Sequence, residues 1–244
     1  MRRIIVLAVI IAGMLLPGAA AAQTYDQAAV EAHLREMYRH HGDRLFKWKR
    51  PVHYLVLGLE SEATQQLIDT HFAYLRDLTG LDIQRADRAE QNGNFILVFA
   101  DPLSSIADLK TLRPLFGSEG QSDADYRSML EGLDRDAAAR TITKRTEDAI
   151  AQYALLINPG AWKEEVVSDA LLTYIVIGLT QTVSSDEISP SIWNAGYGAH
   201  PISRLPSIDE LYLKNLYRGG PQSGVPIELG IRHLAAAIAF DLNS

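Results

Sequence analysis

The chain of 244 residues contains no cysteine. It therefore has no disulfide bond, no cysteine-ligated zinc or iron–sulfur cluster and no thiol nucleophile. Positive charge is also scarce, since 23 lysines and arginines stand against 30 aspartates and glutamates. Because contacts to phosphates need a basic surface, we expect no nucleic-acid partner. The fold must rest on its apolar core, and the length suits one sizeable domain or two lobes that share a core.

Long apolar runs are missing except near the first residue. Arg2 and Arg3 precede an apolar stretch over residues 4–16, and Ala20-Ala21-Ala22 lies before Gln23. This pattern is typical of a secretory signal peptide, because the apolar stretch is shorter than the roughly 20 residues that span a bilayer. We expect cleavage near Ala22-Gln23, a periplasmic or secreted bacterial protein, and no stable membrane span after cleavage. The segment that would be removed contains two arginines and no acidic residue, so cleavage would take the net charge from −7 to about −9.

Three segments follow from these patterns: a signal peptide over 1–22, a helical segment with a basic connector over 23–50, and a single α+β domain over 51–244. The connector contains four cations, which are Arg44, Lys47, Lys49 and Arg50. We interpret it as a solvated linker, and a site for an anionic partner is the alternative.

Hydrophobic periodicity predicts the order of helices and strands. The expected strands are residues 52–59, 81–86, 95–100, 140–146 and 149–158. The expected helices are residues 24–45, 61–79, 162–178, 207–217 and the apolar C-terminal stretch, with short helical pieces over 101–137. Gly80 is placed to end the second helix. In the last helix we expect a packed face of Leu229, Ile231, Leu234, Ala237 and Ile238.

Catalytic and cofactor motifs are absent from the sequence. The seven histidines include no pair spaced i, i+4 on a predicted helix, which a two-histidine zinc helix requires. There is no G-x-S-x-G elbow, no Walker loop and no G-x-G-x-x-G after a strand. We therefore predict no cofactor and no metal ion.

An aromatic segment, IWNAGYGAHP over residues 192–201, follows the fourth predicted helix. Its candidate ligand- or partner-binding side chains are Trp193, Asn194, Tyr197 and His200, to which Asp186 and Gln181 upstream are added. Side chains with polar tips on loops often line sites. A loop that simply packs over the core is the other interpretation.

The stretch DALLTYIVIGLTQ, residues 169–181, has the spacing of a metallopeptidase helix, H-E-x-x-H-x-x-G-L. Leu171 and Ile175 occupy the positions of the zinc histidines, Leu172 that of the glutamate base, and Gln181 that of a third ligand. Hydrolysis by zinc-bound water needs ligands and a base, and these aliphatic side chains supply neither. We expect the three aliphatic residues to be core, and Gly178 to end the helix in a left-handed conformation.

The succession of elements resembles the zincin-type metallopeptidases, and more closely the bacterial domain of unknown function 2927, a degenerate zincin found behind signal peptides. The resemblance is carried by Gly178-Leu179, by Ser191-Ile192 with Asn194, and by Asp209, Leu216 and Tyr217 in the following helix. It spans roughly residues 50–240 and implies a zincin-like α+β layout, a mixed sheet packed by helices, and a degenerate active-site helix.

Three functions remain open at this point. The first is a non-catalytic peptide- or protein-binding domain of the envelope, a pseudoenzyme that holds an extended peptide or an envelope protein by strand addition. The second is a hydrolase that uses Asp186, Tyr197 or His200 in place of a metal. The third is a purely structural domain.

Overall fold

The computed structural model describes residues 26–59, 61–86, 93–106, 113, 121–136, 139–159, 164–182, 191 and 204–244. Within these residues lie five strands and six α-helices. The strands are β1 (Val52–Leu57), β2 (Ile83–Arg85), β3 (Phe95–Phe99), β4 (Ala139–Arg145) and β5 (Ile150–Ile157). The helices are α1 (Gln27–Met37), α2 (Glu62–Thr79), α3 (Asp123–Asp136), α4 (Glu164–Thr180), α5 (Ser207–Arg218) and α6 (Ile227–Leu242).

The strands form one mixed sheet in the order β2-β1-β3-β5-β4. Strands β1, β2, β3 and β5 run parallel to one another, and β4 pairs antiparallel with β5 at the end of the sheet. This confirms the α+β class and the mixed sheet packed by helices.

Helix α2 begins and ends where its sequence predicts. The Ser61 hydroxyl accepts a hydrogen bond from the Thr64 N–H at 3.3 Å, which satisfies one of the free amides of the first turn. Gly80 has φ of 72°, a left-handed conformation that glycine adopts without a steric penalty. The helix crosses from β1 to the parallel strand β2, and Phe72 stacks on Tyr54 with ring centroids 4.0 Å apart.

The central strands are apolar on both faces because helices cover both sides of the sheet. In β3, Phe95, Leu97 and Phe99 join the main core, which α1, α2, α4, α5 and α6 share. Ile96 and Val98 point to a smaller core with Tyr126 and Leu130 of α3. The main core also contains Leu45 and Trp48 of the connector.

Three sequence expectations are wrong in detail. Helix α1 ends at Met37 instead of continuing to residue 45, and α3 is one helix of 14 residues where we expected short helical pieces. Leu229, expected in the packed face of the last helix, is 52% exposed.

The expected role of Gly178 is also wrong. Helix α4 continues past it to Thr180, and the residue with positive φ is Gln181, at 60°. Gly178 is needed for a different reason: a Cβ there would lie 2.5 Å from the Phe95 ring and 2.6 Å from the Tyr153 ring. The glycine therefore lets α4 approach β3 and β5 more closely than any other residue would.

We expect Gly178→Ala to destabilise the protein by about 1–3 kcal/mol, because two buried rings cannot both move away from the new methyl group. Gly132→Ala is the matched control, since it lies in α3 with nothing within 4 Å of its added Cβ. It should gain up to about 1 kcal/mol from helix propensity. Urea unfolding of both variants checks this, and equal effects at the two positions would contradict the close-packing explanation.

Candidate functional site

The three aliphatic residues whose spacing was compared with that of a metallopeptidase helix lie in the core. Leu171, Leu172 and Ile175 are each 0% exposed and belong to the main core. This confirms the expectation that the three are core residues. Within the described residues, no three histidine, aspartate or glutamate side chains come together as a group able to hold a metal ion.

The candidate site residues of the sequence divide into two sets. Gln181 is described, and it lies directly after α4 with 7% exposure. Five others fall outside the described residues: Asp186, Trp193, Asn194, Tyr197 and His200. Ser191 of the S-I-x-N segment is described and fully buried, and its hydroxyl donates to Asp209 Oδ1 of α5 at 2.8 Å.

Side chains from distant segments satisfy the last carbonyls of α4. Trp48 Nε1 donates to the Gly178 carbonyl at 3.0 Å, and the Tyr217 hydroxyl donates to the Leu179 carbonyl at 2.6 Å. The Gln181 N–H donates to the Ile177 carbonyl at 2.5 Å. A helix end buried without such partners would be costly, so the connector and α5 fix where α4 ends.

Buried hydroxyl groups surround the same helix end. The hydroxyls of Tyr38 and Tyr212 are hydrogen-bonded to each other, and the Thr180 and Thr182 hydroxyls lie 2.7 Å apart. Burial raises the pKa of both tyrosines well above its ordinary value. These hydroxyls therefore stay neutral at physiological pH and act as structural donors and acceptors.

Arg145, the last residue of β4, reaches this helix end from the sheet. Its Nε donates to Gln181 Oε1 at 2.5 Å, and its guanidinium carbon lies 4.9 Å from the centroid of the Phe46 ring. Its Nη1 is 3.5 Å from the His41 carbonyl oxygen. Gln181 and Arg145 are thus held together although 36 positions separate them in the chain. The sequence analysis missed Arg145, because nothing local in RTITKR indicates which helix it contacts.

Two buried nitrogen atoms beside Arg145 have no hydrogen-bond partner within the described residues. They are Gln181 Nε2 and His41 Nδ1. Burial, together with the charges of Arg145 and His40, lowers the pKa of His41 to about 4. Its imidazole is therefore neutral at pH 7, and His33 of α1 is similar because burial lowers its pKa to about 4.

On its outer edge, β4 pairs with no strand in the described part of the chain. In β5, the Tyr153 N–H donates to the Asn94 carbonyl, and the Ile157 carbonyl accepts from the Ala100 N–H. The backbone N–H and C=O groups of residues 153, 155 and 157 therefore point toward β3. Thr143 lies opposite Tyr153, and Thr141 lies opposite Leu155. When a residue directs its backbone groups away from the neighbouring antiparallel strand, the residue opposite it on that strand also directs its own away. The N–H and C=O groups of Thr141 and Thr143 therefore face outward, where the described part of the chain has no further strand.

The basic connector contributes to a separate cavity of about 260 Å³. Lys49 and Arg50 line it on one side, and Thr146, Asp148 and residues 149–151 on the other. The Lys49 ammonium pairs with the Asp148 carboxylate, and both side chains are about half exposed. Lys47 of the same connector instead donates to the Leu216 carbonyl at 2.9 Å. The connector is thus partly docked on the fold instead of being fully solvated.

Comparison of the chain with models of protein families, with curated proteins and with solved structures finds no match in any of the three. Among the helices in the described ranges, none has both the length and the apolar character needed to cross a membrane.

We expect Tyr217→Phe to cost about 1–3 kcal/mol of unfolding free energy, because it leaves the Leu179 carbonyl without its donor in a buried position. Tyr54→Phe is the control: its hydroxyl donates to Asp69, a half-exposed carboxylate that Arg85 and Gln65 also contact. That variant should cost under about 1 kcal/mol. Chemical denaturation measures both, and a smaller loss for Tyr217→Phe would contradict the capping role.

Acidification should remove stability that depends on neutral His41. Its folded-state pKa of about 4 lies below the ordinary value of 6.5, so the unfolded chain binds the proton first. This contribution is fully present above pH 6.5 and is lost as the pH falls from 6.5 toward 4. His41→Gln should therefore reduce the stability difference between pH 7.5 and pH 4.5 by about 2–3 kcal/mol.

Urea unfolding at the two pH values measures this difference for wild type and His41→Gln. An NMR titration of the His41 ring protons gives the midpoint directly. A midpoint near the ordinary histidine value would refute the explanation by burial.

Proposed function

We propose that the chain is an exported, zincin-like domain without a metal site that binds an extended peptide segment along the outer edge of β4. The observation that carries the proposal is the pair of outward-facing backbone positions at Thr141 and Thr143. An extended segment placed there would form the same backbone hydrogen bonds that β5 forms on the inner edge.

The order of elements supports the zincin-like part of the proposal. A strand, a helix and two strands are followed by α3, two further strands, the helix α4, the Ser191 segment and then α5. This is the succession on which the resemblance was based. The hydrogen bond between Ser191 and Asp209 adds support, because it joins two of the motif residues that carry the resemblance.

The same positions support the part of the proposal that excludes a metal site. Leu171, Leu172 and Ile175 face the core, so the helix that would hold zinc in a peptidase has only a packing role here. The strand edge beside it needs no metal, since strand addition relies on backbone groups. Binding without cleavage is the function that this combination supports. The alternative hydrolase would use Asp186, Tyr197 or His200, which lie outside the described residues.

Isolated edge strands invite uncontrolled pairing, and proteins commonly limit it with charges and bulges. Strand β4 has both at one end, because the register with β5 shifts between Lys144 and Arg145. The central part with Thr141 and Thr143 lacks these features. A segment of two or three paired residues therefore fits this edge better than a long sheet extension.

We expect Thr143→Pro to weaken peptide binding at least about tenfold while preserving the fold, because proline removes an outward N–H and no bond of the β4–β5 ladder. The probe is the hexapeptide Thr-Val-Thr-Gln-Val-Thr, acetylated at its N-terminus and amidated at its C-terminus so that it is neutral, titrated into ¹⁵N-labelled protein. In wild type, the amide signals of residues 141 and 143 should shift with increasing peptide.

Thr143→Val is the matched control, since it keeps the N–H and loses only the hydroxyl, and it should bind like wild type. Thr143→Pro should bind at least about tenfold more weakly, consistent with the loss of a backbone hydrogen bond and a steric block at the edge. If the hexapeptide shifts no β4 signal in wild type, or binds Thr143→Pro equally well, strand addition at this edge is refuted.

A further inference from the structure

We propose that Arg145, together with Gln181 and His41, forms a subsite for the carboxylate of an acidic side chain, aspartate or glutamate, in the segment bound on β4. The inference rests on the proposed function and adds the chemistry of the partner: an acidic extended peptide. Arg145 carries the subsite because it belongs to the edge strand and also contacts the end of α4.

The guanidinium is held on three sides. Gln181 Oε1 accepts from Nε at 2.5 Å, the Phe46 ring lies against one face at 4.9 Å, and the His41 carbonyl is 3.5 Å from Nη1. A guanidinium fixed in this way loses little side-chain freedom when it binds a ligand. Its remaining N–H groups present the planar fork that matches a carboxylate.

Within the described residues, the positive charge of Arg145 has no acidic partner. None of the ion pairs formed within the described residues includes Arg145, whereas Arg35, Arg39, Arg85 and Arg113 each pair with a carboxylate. Arg145 is exposed, so an edge-bound ligand can approach its guanidinium, and partial burial lowers its pKa. An anionic ligand would supply the missing compensation.

The neighbouring polar atoms favour an acceptor ligand. Gln181 Nε2 and His41 Nδ1 are buried beside Arg145 without hydrogen-bond partners in the described residues. The amide nitrogen is a donor, and neutral imidazole can present an N–H at Nδ1. Gln181 is also held at φ of 60°, a conformation that non-glycine residues seldom adopt and that is often found at functional sites. Both nitrogens are shielded from solvent, so a carboxylate bound to the Arg145 guanidinium would reach them once these two side chains turn toward it.

The position of Arg145 on its strand distinguishes a side-chain carboxylate from the carboxylate of a chain end. Arg145 lies at the C-terminal end of β4. A peptide that pairs antiparallel would have its N-terminus there, so only a parallel peptide could place its terminal carboxylate beside Arg145. An aspartate or glutamate side chain can reach the guanidinium from either direction. We therefore assign the subsite to an acidic side chain.

The test compares amidated hexapeptides based on Thr-Val-Thr-Gln-Val-Thr in which one residue is replaced by glutamate at each internal position in turn. The best glutamate peptide should bind wild type at least about tenfold more tightly than the corresponding glutamine peptide, as expected for a charge-assisted hydrogen bond. It should also shift the Arg145 Nε–H signal. Arg145→Gln should remove this preference and leave the affinity for the neutral peptide unchanged.

Two further variants separate the subsite from general electrostatics. Arg232→Gln, on the exposed side of α6, makes the same change in net charge and should keep the tenfold preference. Arg145→Lys keeps the positive charge but lacks the planar guanidinium, so it should keep only part of the preference for the glutamate peptide. This variant remains informative if Arg145→Gln fails to fold.

The outcomes distinguish the two proposals. If the neutral peptide binds but no glutamate position improves it, the carboxylate subsite is wrong and strand addition stands. If a neutral peptide with a free C-terminal carboxylate gains as much as the best glutamate peptide, the assignment to a side chain is wrong. If no peptide shifts the signals of β4, the proposed function itself fails.

Discussion

The close approach of α4 to the sheet is the constraint on which the rest of the structure depends. Gly178 lies against the rings of Phe95 and Tyr153, which belong to the two central strands. At this distance the apolar positions of α4 are sealed in the main core, and the end of the helix is buried with its carbonyls. The buried carbonyls in turn require the donors that Trp48 and Tyr217 supply. One missing methyl group thus fixes the positions of the connector and of α5.

The same constraint gathers polar groups where a helix would ordinarily emerge into water. Gln181 follows the buried end of α4 in a left-handed conformation, and its side chain meets Arg145 from the edge strand. Tyrosine and threonine hydroxyls satisfy one another nearby, whereas Gln181 and His41 each keep a nitrogen without a partner in the described residues. Buried polar groups of native proteins are usually paired, so this corner differs in kind from the apolar helix beneath it.

Much of the fold follows from local patterns, and the parts that do not follow depend on long-range contacts. The apolar runs of β1, β3 and β5 and the caps of α2 are visible in the sequence because each is a property of neighbouring residues. The role of Gly178 was misread because a glycine near a helix end is compatible with a stop and with close packing, and only the rings from other strands distinguish them. The contact between Arg145 and Gln181 has no local signal. Leu229 was placed on the buried face because its apolar character outweighed the helical phase of its neighbours.

Helix α1 and helix α6 pack against each other although they lie at opposite ends of the described chain, and the ion pair of Arg35 with Glu228 also bridges them. The apolar side chains of α1 that belong to the main core, Val30, Leu34 and Met37, can therefore be fully buried only after α6 has been synthesised. A chain that emerges from a ribosome or a translocation channel N-terminus first holds these side chains exposed throughout its emergence. The main core therefore closes only after the chain is complete. Helix α1, although it is synthesised early, is among the last of the described helices to be buried.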